Sequence, residues 1–195
     1  MTLIKGIYQA KRKILEAKDI VISGHRNPDG DSIGSVLSLG LGLERLGKRV
    51  FMVSQDGVPK RYKQLPGATR IIRRASGAPD LAISVDCGTK EMLGETFDIF
   101  KKAKSILEID HHEYRKSFGD ISLIDHKAAA VGELIYILLA DLNIGVTKDM
   151  ALNILTSIIV ETNSFRLPNI RALTFDICAK LIKMRLDFYK LVCRI

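Results

Sequence analysis

Three short stretches of the 195-residue chain concentrate side chains able to do chemistry: His25-Arg26-Asn27-Pro28-Asp29-Gly30-Asp31-Ser32, Asp86-Cys87-Gly88 and Asp110-His111-His112. The chain has only 4 histidines, and three of them stand here beside carboxylates. Imidazole and carboxylate donors without thiolate suit a hydrolytic site for Mn²⁺, Mg²⁺, Zn²⁺ or Fe²⁺. One such ion takes about three or four protein ligands. The stretches offer more than that, so two ions are expected. A pair about 3.5–4 Å apart can share a bridging hydroxide and flank an in-line attack on phosphorus. Crowded carboxylates would repel one another without cations, a second argument for metal. Asn27-Pro28-Asp29-Gly30-Asp31 has the composition of a turn and would aim two carboxylates at neighbouring ions. Ser32 is then expected to cap the helix beginning there, whose amino end favours bound phosphate. The competing reading, helix caps and satisfied polar turns, explains one such stretch more easily than three together.

Such chemistry requires elements that bring the stretches to one place. Apolar residues at Ile4, Ile7, Tyr8, Ile14 and Leu15 have helical spacing over 4–18. The period then changes: 19–23, 50–53, 81–85, 105–109 and 121–124 read as short strands. The segment 32–46, rich in small residues, reads as a helix stopped by Gly47, and 58–67 as a short helix and turn. Helical patterns follow over 128–142, 147–160, 171–184 and 187–194. Strands alternating with helices predict an α/β fold: a doubly wound, mainly parallel five-stranded sheet flanked by helices, with a helical C-terminal portion. In such sheets the ligand sits outside the carboxyl ends of the strands. All three chemical stretches begin where a predicted strand stops.

Composition narrows the class. An apolar content of 47% excludes a disordered chain. The cysteines, Cys87, Cys178 and Cys193, form no C-x-x-C pair, which gives neither a disulfide framework nor a thiolate zinc site and makes a reducing cytoplasm the default location. No apolar stretch approaches the roughly 20 residues of a membrane span, and the first residues lack a signal-peptide core. The net charge of +8 is unevenly spread: residues 1–75 carry 15 Lys+Arg against 6 Asp+Glu, and the remainder is nearly balanced. A basic face suits a polyanionic partner such as a nucleotide or short nucleic acid.

His25-x-Asn27-Pro28-Asp29-Gly30-Asp31-Ser32-Ile33-Gly34-Ser35, Val85-Asp86, Asp110-His111-His112 and Thr162-Asn163-Ser164-Phe165-Arg166 resemble, in order, the four motifs of the DHH phosphoesterase superfamily. Within it the chain is most similar to the branch of oligoribonucleases (nanoRNases) and phosphoadenosine-phosphate phosphatases. RecJ-like exonucleases usually lack the histidine that His25 supplies. Family II pyrophosphatases usually carry Thr where Gly30 stands. The Asp56, Pro59 and Leu65-Pro66-Gly67 pattern also resembles the nanoRNase branch. The resemblance implies that His25, Asp29 and Asp86 hold one ion, most commonly Mn²⁺ with Mg²⁺ as an alternative. Asp31, Asp86 and His111 would hold the second, with Asp86 bridging. Asp110 resembles the acid that orients a neighbouring histidine, and His112 the residue that contacts substrate phosphate. Arg166 is a further candidate phosphate contact.

The chain departs from the family pattern twice. Glu161 stands where the family usually has an Asp ligand of the second ion; its extra methylene moves the carboxylate by about 1.5 Å, and ligation is still expected. The branch also carries a C-terminal substrate-binding domain with a Gly-Gly-Gly-His-like motif that does not occur here. The expectation is therefore a single DHH-type catalytic domain over 1–195 without that second domain. The resemblance implies a cytoplasmic phosphoesterase in which a dimetal-bound hydroxide attacks short single-stranded RNA or DNA, or nucleotide phosphates. The alternatives are a pyrophosphatase, a cyclic-dinucleotide phosphodiesterase, and a metal- and nucleotide-binding module of low activity. Cys87 reads as a small buried apolar group and His126 as a surface turn. Phe175, Ile177, Leu181 and Ile182 read as core or as the interface of a homodimer.

Overall fold

The computed structural model describes residues 3–193 and 195. Five strands, β1 (Asp19–Ser23), β2 (Arg49–Val53), β3 (Leu81–Val85), β4 (Ser105–Asp110) and β5 (Ile121–Ile124), form one sheet in the order β2-β1-β3-β4-β5. Every pair is parallel. Seven α-helices accompany them: α1 (Leu3–Glu16), α2 (Gly30–Arg45), α3 (Phe97–Phe100), α4 (Val131–Asp141), α5 (Lys148–Glu161), α6 (Ala172–Ile182) and α7 (Phe188–Val192). The expected parallel α/β sheet with a helical C-terminal portion is the fold found. No described helix is long and apolar enough to cross a membrane.

Strand alternation divides the sheet into two unequal faces. Ile20, Ile22, Leu81, Ile83, Val85, Leu107, Ile109, Ile121 and Leu123 join the large core built with α1, α2, α4 and α5. Val21, Val53 and Ala82 point the other way, into a smaller cluster with Leu93, Ile99 and Phe100. That cluster comes from a tight helical segment at 90–96 and α3, which connect β3 to β4. Gly94, at φ 57°, kinks this connection, so that no regular helical or strand period runs through it.

The closest helix packing joins α2 to α5. It requires the small residues of α2: a Cβ on Gly34 would come within 2.4 Å of the Asn153 carbonyl oxygen. This contact fixes the two helices whose ends carry Asp31 and Glu161.

Several element boundaries differ from expectation by one to three residues. First, α2 begins at Gly30, and its N-cap is Asp29, whose carboxylate accepts the Ser32 N–H at 3.0 Å. Ser32 does not cap the helix, because its buried hydroxyl is packed against Gly24, where a Cβ would lie 1.8 Å from it. Second, 128–130 stay outside α4, the carbonyl groups of Ala128 and Ala129 being taken up by the side chains of His111 and Asn169. Third, the last helix is short, Phe188–Val192 after an Asp187 cap, and Arg194 of the expected 187–194 helix lies outside the described residues. Cys87 is buried and His126 exposed in a turn, as expected. The apolar stripe of α6 divides: Ile177 and Leu181 are buried, while Phe175 and Ile182 remain exposed.

Candidate metal centre

The carboxyl ends of β1, β3 and β4 converge, and the end of α5 reaches the same place. The segment after β1 is held by distant backbone. Arg26 N–H donates to the Met92 carbonyl at 2.7 Å, and Asn27, at φ 52°, donates its N–H to Asp56 at 2.7 Å. Asp56 entered the sequence reading only as part of a family pattern; here it staples the His25–Asp29 turn. Asp86, one residue past β3, takes φ 59°, a region that favours glycine, while its N–H donates to the Ile109 carbonyl at 3.0 Å. Strained backbone of this kind, over-determined by its surroundings, turns the Asp86 carboxylate inward.

Asp86 joins two groups of donors. Its Oδ2 lies 3.4 Å from His25 Nε2, and its Oδ1 lies 3.8 Å from His111 Nε2 and 3.7 Å from His112 Nδ1. Asp29 Oδ1 is 3.8 Å from the same His25 nitrogen. On the other side, His111 Nε2 is 3.8 Å from Asp31 Oδ2 and 3.6 Å from Glu161 Oε1. Donor atoms of His25, Asp29 and Asp86 lie within 4.8 Å of one another, as do those of Asp31, His111 and Glu161, and of Asp86, His111 and His112. Each group could hold a metal ion.

The histidine rings are oriented by acceptors behind them. His25 Nδ1 lies 2.8 Å from the Arg26 carbonyl and His111 Nδ1 3.0 Å from the Ala128 carbonyl. A carbonyl only accepts, so each Nδ1 is the protonated nitrogen and each Nε2 faces the carboxylates, the arrangement a ligand requires. The Ala129 carbonyl accepts from the Asn169 amide at 3.0 Å, and the Val131 N–H donates to Asp31 Oδ2 at 2.9 Å. These commitments hold 128–130 extended instead of helical.

Asp31 is fully buried and accepts two further hydrogen bonds at Oδ1, from Ser157 Oγ at 2.6 Å and Ser35 Oγ at 3.1 Å. From the sequence, Ser35 is singled out only as the last residue of the first motif, and Ser157 not at all. Helical spacing carried a signal for each: Ser35 follows Asp31 by four residues and Ser157 precedes Glu161 by four, so each shares a helix face with an expected ligand. Asp110, 1% exposed, accepts at Oδ1 from His112 Nδ1 at 2.7 Å and from the backbone N–H groups of His111 and His112 at 2.9 and 3.3 Å. His112 Nε2 is thereby left as the ring's free nitrogen. Arg166 is exposed, and no hydrogen bond or ion pair joins its side chain to these residues.

Protons are retained where cations would sit. Burial disfavours a charged His25, but hydrogen bonds to Asp29 and Asp86 outweigh it and raise the pKa to about 11. The hydrogen bond to Asp110 raises His112 to about 9 against the effect of burial. Burial, reinforced by the Asp86 charge, lifts Asp31 well above the ordinary carboxylate range. Glu161 is raised in the same way, with His111 opposing. Asp29 and Asp110 go down, because their histidine hydrogen bonds overcome the burial that would raise them. Carboxylates that hold protons, and imidazoles that hold extra ones, exchange them for metal ions when a metal binds.

A parallel sheet whose strand ends deliver these motifs defines a family. The DHH family N-terminal domain matches residues 19–160, and the chain belongs to the DHH family. Among its relatives, the bifunctional oligoribonuclease and PAP phosphatase NrnA of Thermus thermophilus is 29% identical over 166 residues, covering 84% of this chain and 49% of the relative. A probable bifunctional oligoribonuclease and PAP phosphatase NrnA of Streptococcus mutans is 25% identical over 189 residues, 96% of this chain and 59% of the relative. The chain spans about half the length of the curated relatives it matches. The crystal structure of an exopolyphosphatase-related protein from Bacteroides fragilis has the same fold, with a TM-score of 0.87 at 24% identity, over 96% of this chain and 59% of that one. Exonuclease RecJ bound to manganese shares it with a TM-score of 0.57 at 18% identity, over 94% of this chain and 49% of that one.

Proposed function

We propose that this chain is the catalytic domain of a metal-dependent phosphoesterase that hydrolyses short oligonucleotides or nucleotide phosphates. The observation that carries the reading is Asp86, whose two oxygens face separate donor groups, 3.4 Å from His25 and 3.8 Å from His111. The donor set fits a pair of divalent cations: all donors are nitrogen or oxygen, both ligand histidines turn Nε2 inward, and buried acids keep protons that cations would displace. His25, Asp29 and Asp86 would hold one ion, and Asp31, Asp86, His111 and Glu161 the second. The bound ions supply Lewis acidity toward phosphate oxygens and lower the pKa of water. Mn²⁺ is the favoured ion, supported by the oxygen-rich donor set and by the manganese named for the RecJ structure.

The chain's own residues account for the rest. Asp110 fixes the His112 ring through Nδ1, so that Nε2 can contact a phosphate oxygen on the half-exposed side of the site. The exposed Arg26, next to His25, adds positive charge at the mouth. Nucleic-acid or nucleotide substrates are favoured by the names of the NrnA relatives and by the basic residues of 1–75.

Hydrolysis of a three-nucleotide RNA, a nucleoside bisphosphate and inorganic pyrophosphate in Mn²⁺ tests the reading. Cleavage of either nucleotide substrate supports it, and cleavage of pyrophosphate alone overturns it. Asp86→Asn should abolish cleavage and remove at least one equivalent of bound Mn²⁺ with the fold intact. Wild-type metal content in that variant would remove Asp86 from the ligand set.

A further inference from the structure

The face of β4 turned away from the large core carries, beside Asp110, a second buried carboxylate to which the proposed reaction gives no role. Glu108 and Asp110 stand two residues apart on this strand, so their side chains share one face while Ile109 points into the core. Both are 1% exposed. Two carboxylates buried side by side repel, and the guanidinium of Arg115 lies across them. Its Nη2 donates to Glu108 Oε1 at 2.7 Å and its Nε to Asp110 Oδ2 at 3.3 Å.

Glu108 is itself anchored. Its Oε1 also accepts the Phe118 N–H at 3.2 Å, and its Oε2 accepts from Ser117 Oγ at 2.5 Å and Ser122 Oγ at 3.0 Å. Asp110 is thus held through both oxygens, Oδ2 by Arg115 and Oδ1 by His112 and the backbone. With Oδ2 released, the carboxylate could turn about its last torsion, and the His112 ring would lose its fixed acceptor.

We propose that Arg115, anchored by Glu108, is a positioning residue for His112: it clamps the Asp110 carboxylate and thereby fixes the orientation and tautomer of the His112 ring. The guanidinium suits this task because it donates in two directions from one rigid plane, which an ammonium does not. The effect on the ring depends only on these contacts. The effect on hydrolysis rests on the proposed contact between His112 and phosphate.

The test has two arms on the full chain. In the ¹⁵N-labelled metal-free protein, the downfield Nδ1–H resonance of His112 should be present in the wild type, lost in Arg115→Gln and weakened in Arg115→Lys. The lysine variant keeps a cation between the two carboxylates and serves if the glutamine variant does not fold. In Mn²⁺, Arg115→Gln should lower kcat/KM for the three-nucleotide RNA at least tenfold, but less than twofold in a His112→Ala background, with bound Mn²⁺ unchanged in both. An unchanged His112 resonance in a folded Arg115 variant overturns the proposal, as does an equal loss of rate in the two backgrounds. Loss of the resonance with no change in hydrolysis supports the clamp and overturns the phosphate role of His112.

Discussion

Ser157→Ala separates the cost of holding Asp31 from the cost of packing α5. Ser157 is fully buried, donates Oγ–H to Asp31 Oδ1 at 2.6 Å and accepts the Gly132 N–H at 2.9 Å on the same oxygen. The substitution removes little volume, so its cost is polar. Asp31 keeps its proton in the metal-free protein, so its hydrogen bond counts as a neutral one, about 0.5–1.5 kcal/mol, and a buried donor left without a partner costs about 1–3 kcal/mol. The loss in unfolding free energy of the metal-free protein should therefore be about 1.5–4.5 kcal/mol, a large part of the stability of an ordinary domain. Ser35→Ala is the control. Ser35 makes a longer bond, 3.1 Å, to the same carboxylate oxygen, and its removal leaves no backbone donor unpaired, so about 0.5–1.5 kcal/mol is expected. Urea unfolding of both variants, metal-free and with saturating Mn²⁺, measures the difference. Groups that orient a metal ligand usually account for about 10–100-fold in affinity, so Ser157→Ala should weaken Mn²⁺ binding by that factor. A Ser157→Ala protein as stable as wild type, or less damaged than Ser35→Ala, would refute the assignment of Ser157 as the main holder of Asp31.

Glu161→Ala should weaken the second Mn²⁺ far more than the first, whereas Glu161→Asp should retain it; identical titrations of wild type and Glu161→Ala would remove Glu161 from the ligand set. The metal-free protein should lose stability as pH rises. His25 and His112 have folded pKa values of about 11 and about 9, above the ordinary 6.5. Their contribution is fully present below about pH 6.5 and is lost as pH climbs through those values. Asp31 and Glu161, raised in the fold, add a cost that starts above their ordinary values and so acts in the same direction. Melting temperatures in EDTA should fall between pH 7 and 9.5, and saturating Mn²⁺ should flatten that fall. A flat or rising profile in EDTA would contradict the charge pattern described for the site.

The candidate ligands other than Glu161 were legible in the sequence because each lies in a contiguous stretch at the end of a strand, and parallel sheets gather those ends. What it concealed depends on contacts between distant residues. Ser157 reaches Asp31 across 126 positions, and its spacing from Glu161 marks a shared helix face without indicating which distant carboxylate it meets. The alanines at 128–130 have strong helical propensity, yet His111 and Asn169 use the first two of their carbonyl groups, and tertiary contacts prevail over a weak local preference. The cap of α2 was misplaced for a related reason. Both Asp29 and Ser32 are good capping types, and the choice was made by the close approach of Gly24 to Ser32, which appears only once β1 and α2 are packed. Arg166 had motif proximity in its favour; it follows a left-handed turn at Asn163, Ser164 and Phe165, and its side chain is exposed.

The end of β4 shows how one strand can serve a metal site on both of its faces. Alternation sends Ile109 into the large core and Asp110 to the opposite side. At His111 the chain leaves the strand, and its ring joins Asp31, Asp86 and Glu161. Three consecutive residues thus deliver a core contact, a support and a candidate ligand. The support face must hold Asp110 ionised to orient His112, and it does so beside a second buried acid, Glu108. That arrangement is tolerable only with a cation between them, and Arg115 is placed there. The ligand face has the reverse balance: Asp29, Asp31, Asp86 and Glu161 meet three histidines and, among the described residues, no Lys or Arg within ion-pair distance. An internal arginine compensates the supporting carboxylates, while the carboxylates of the ligand face are left for cations from solution. The same strand end therefore separates charge compensated by an internal arginine from charge left to protons or to the proposed cations, which favours placing the candidate metal centre on this face and not beside Glu108.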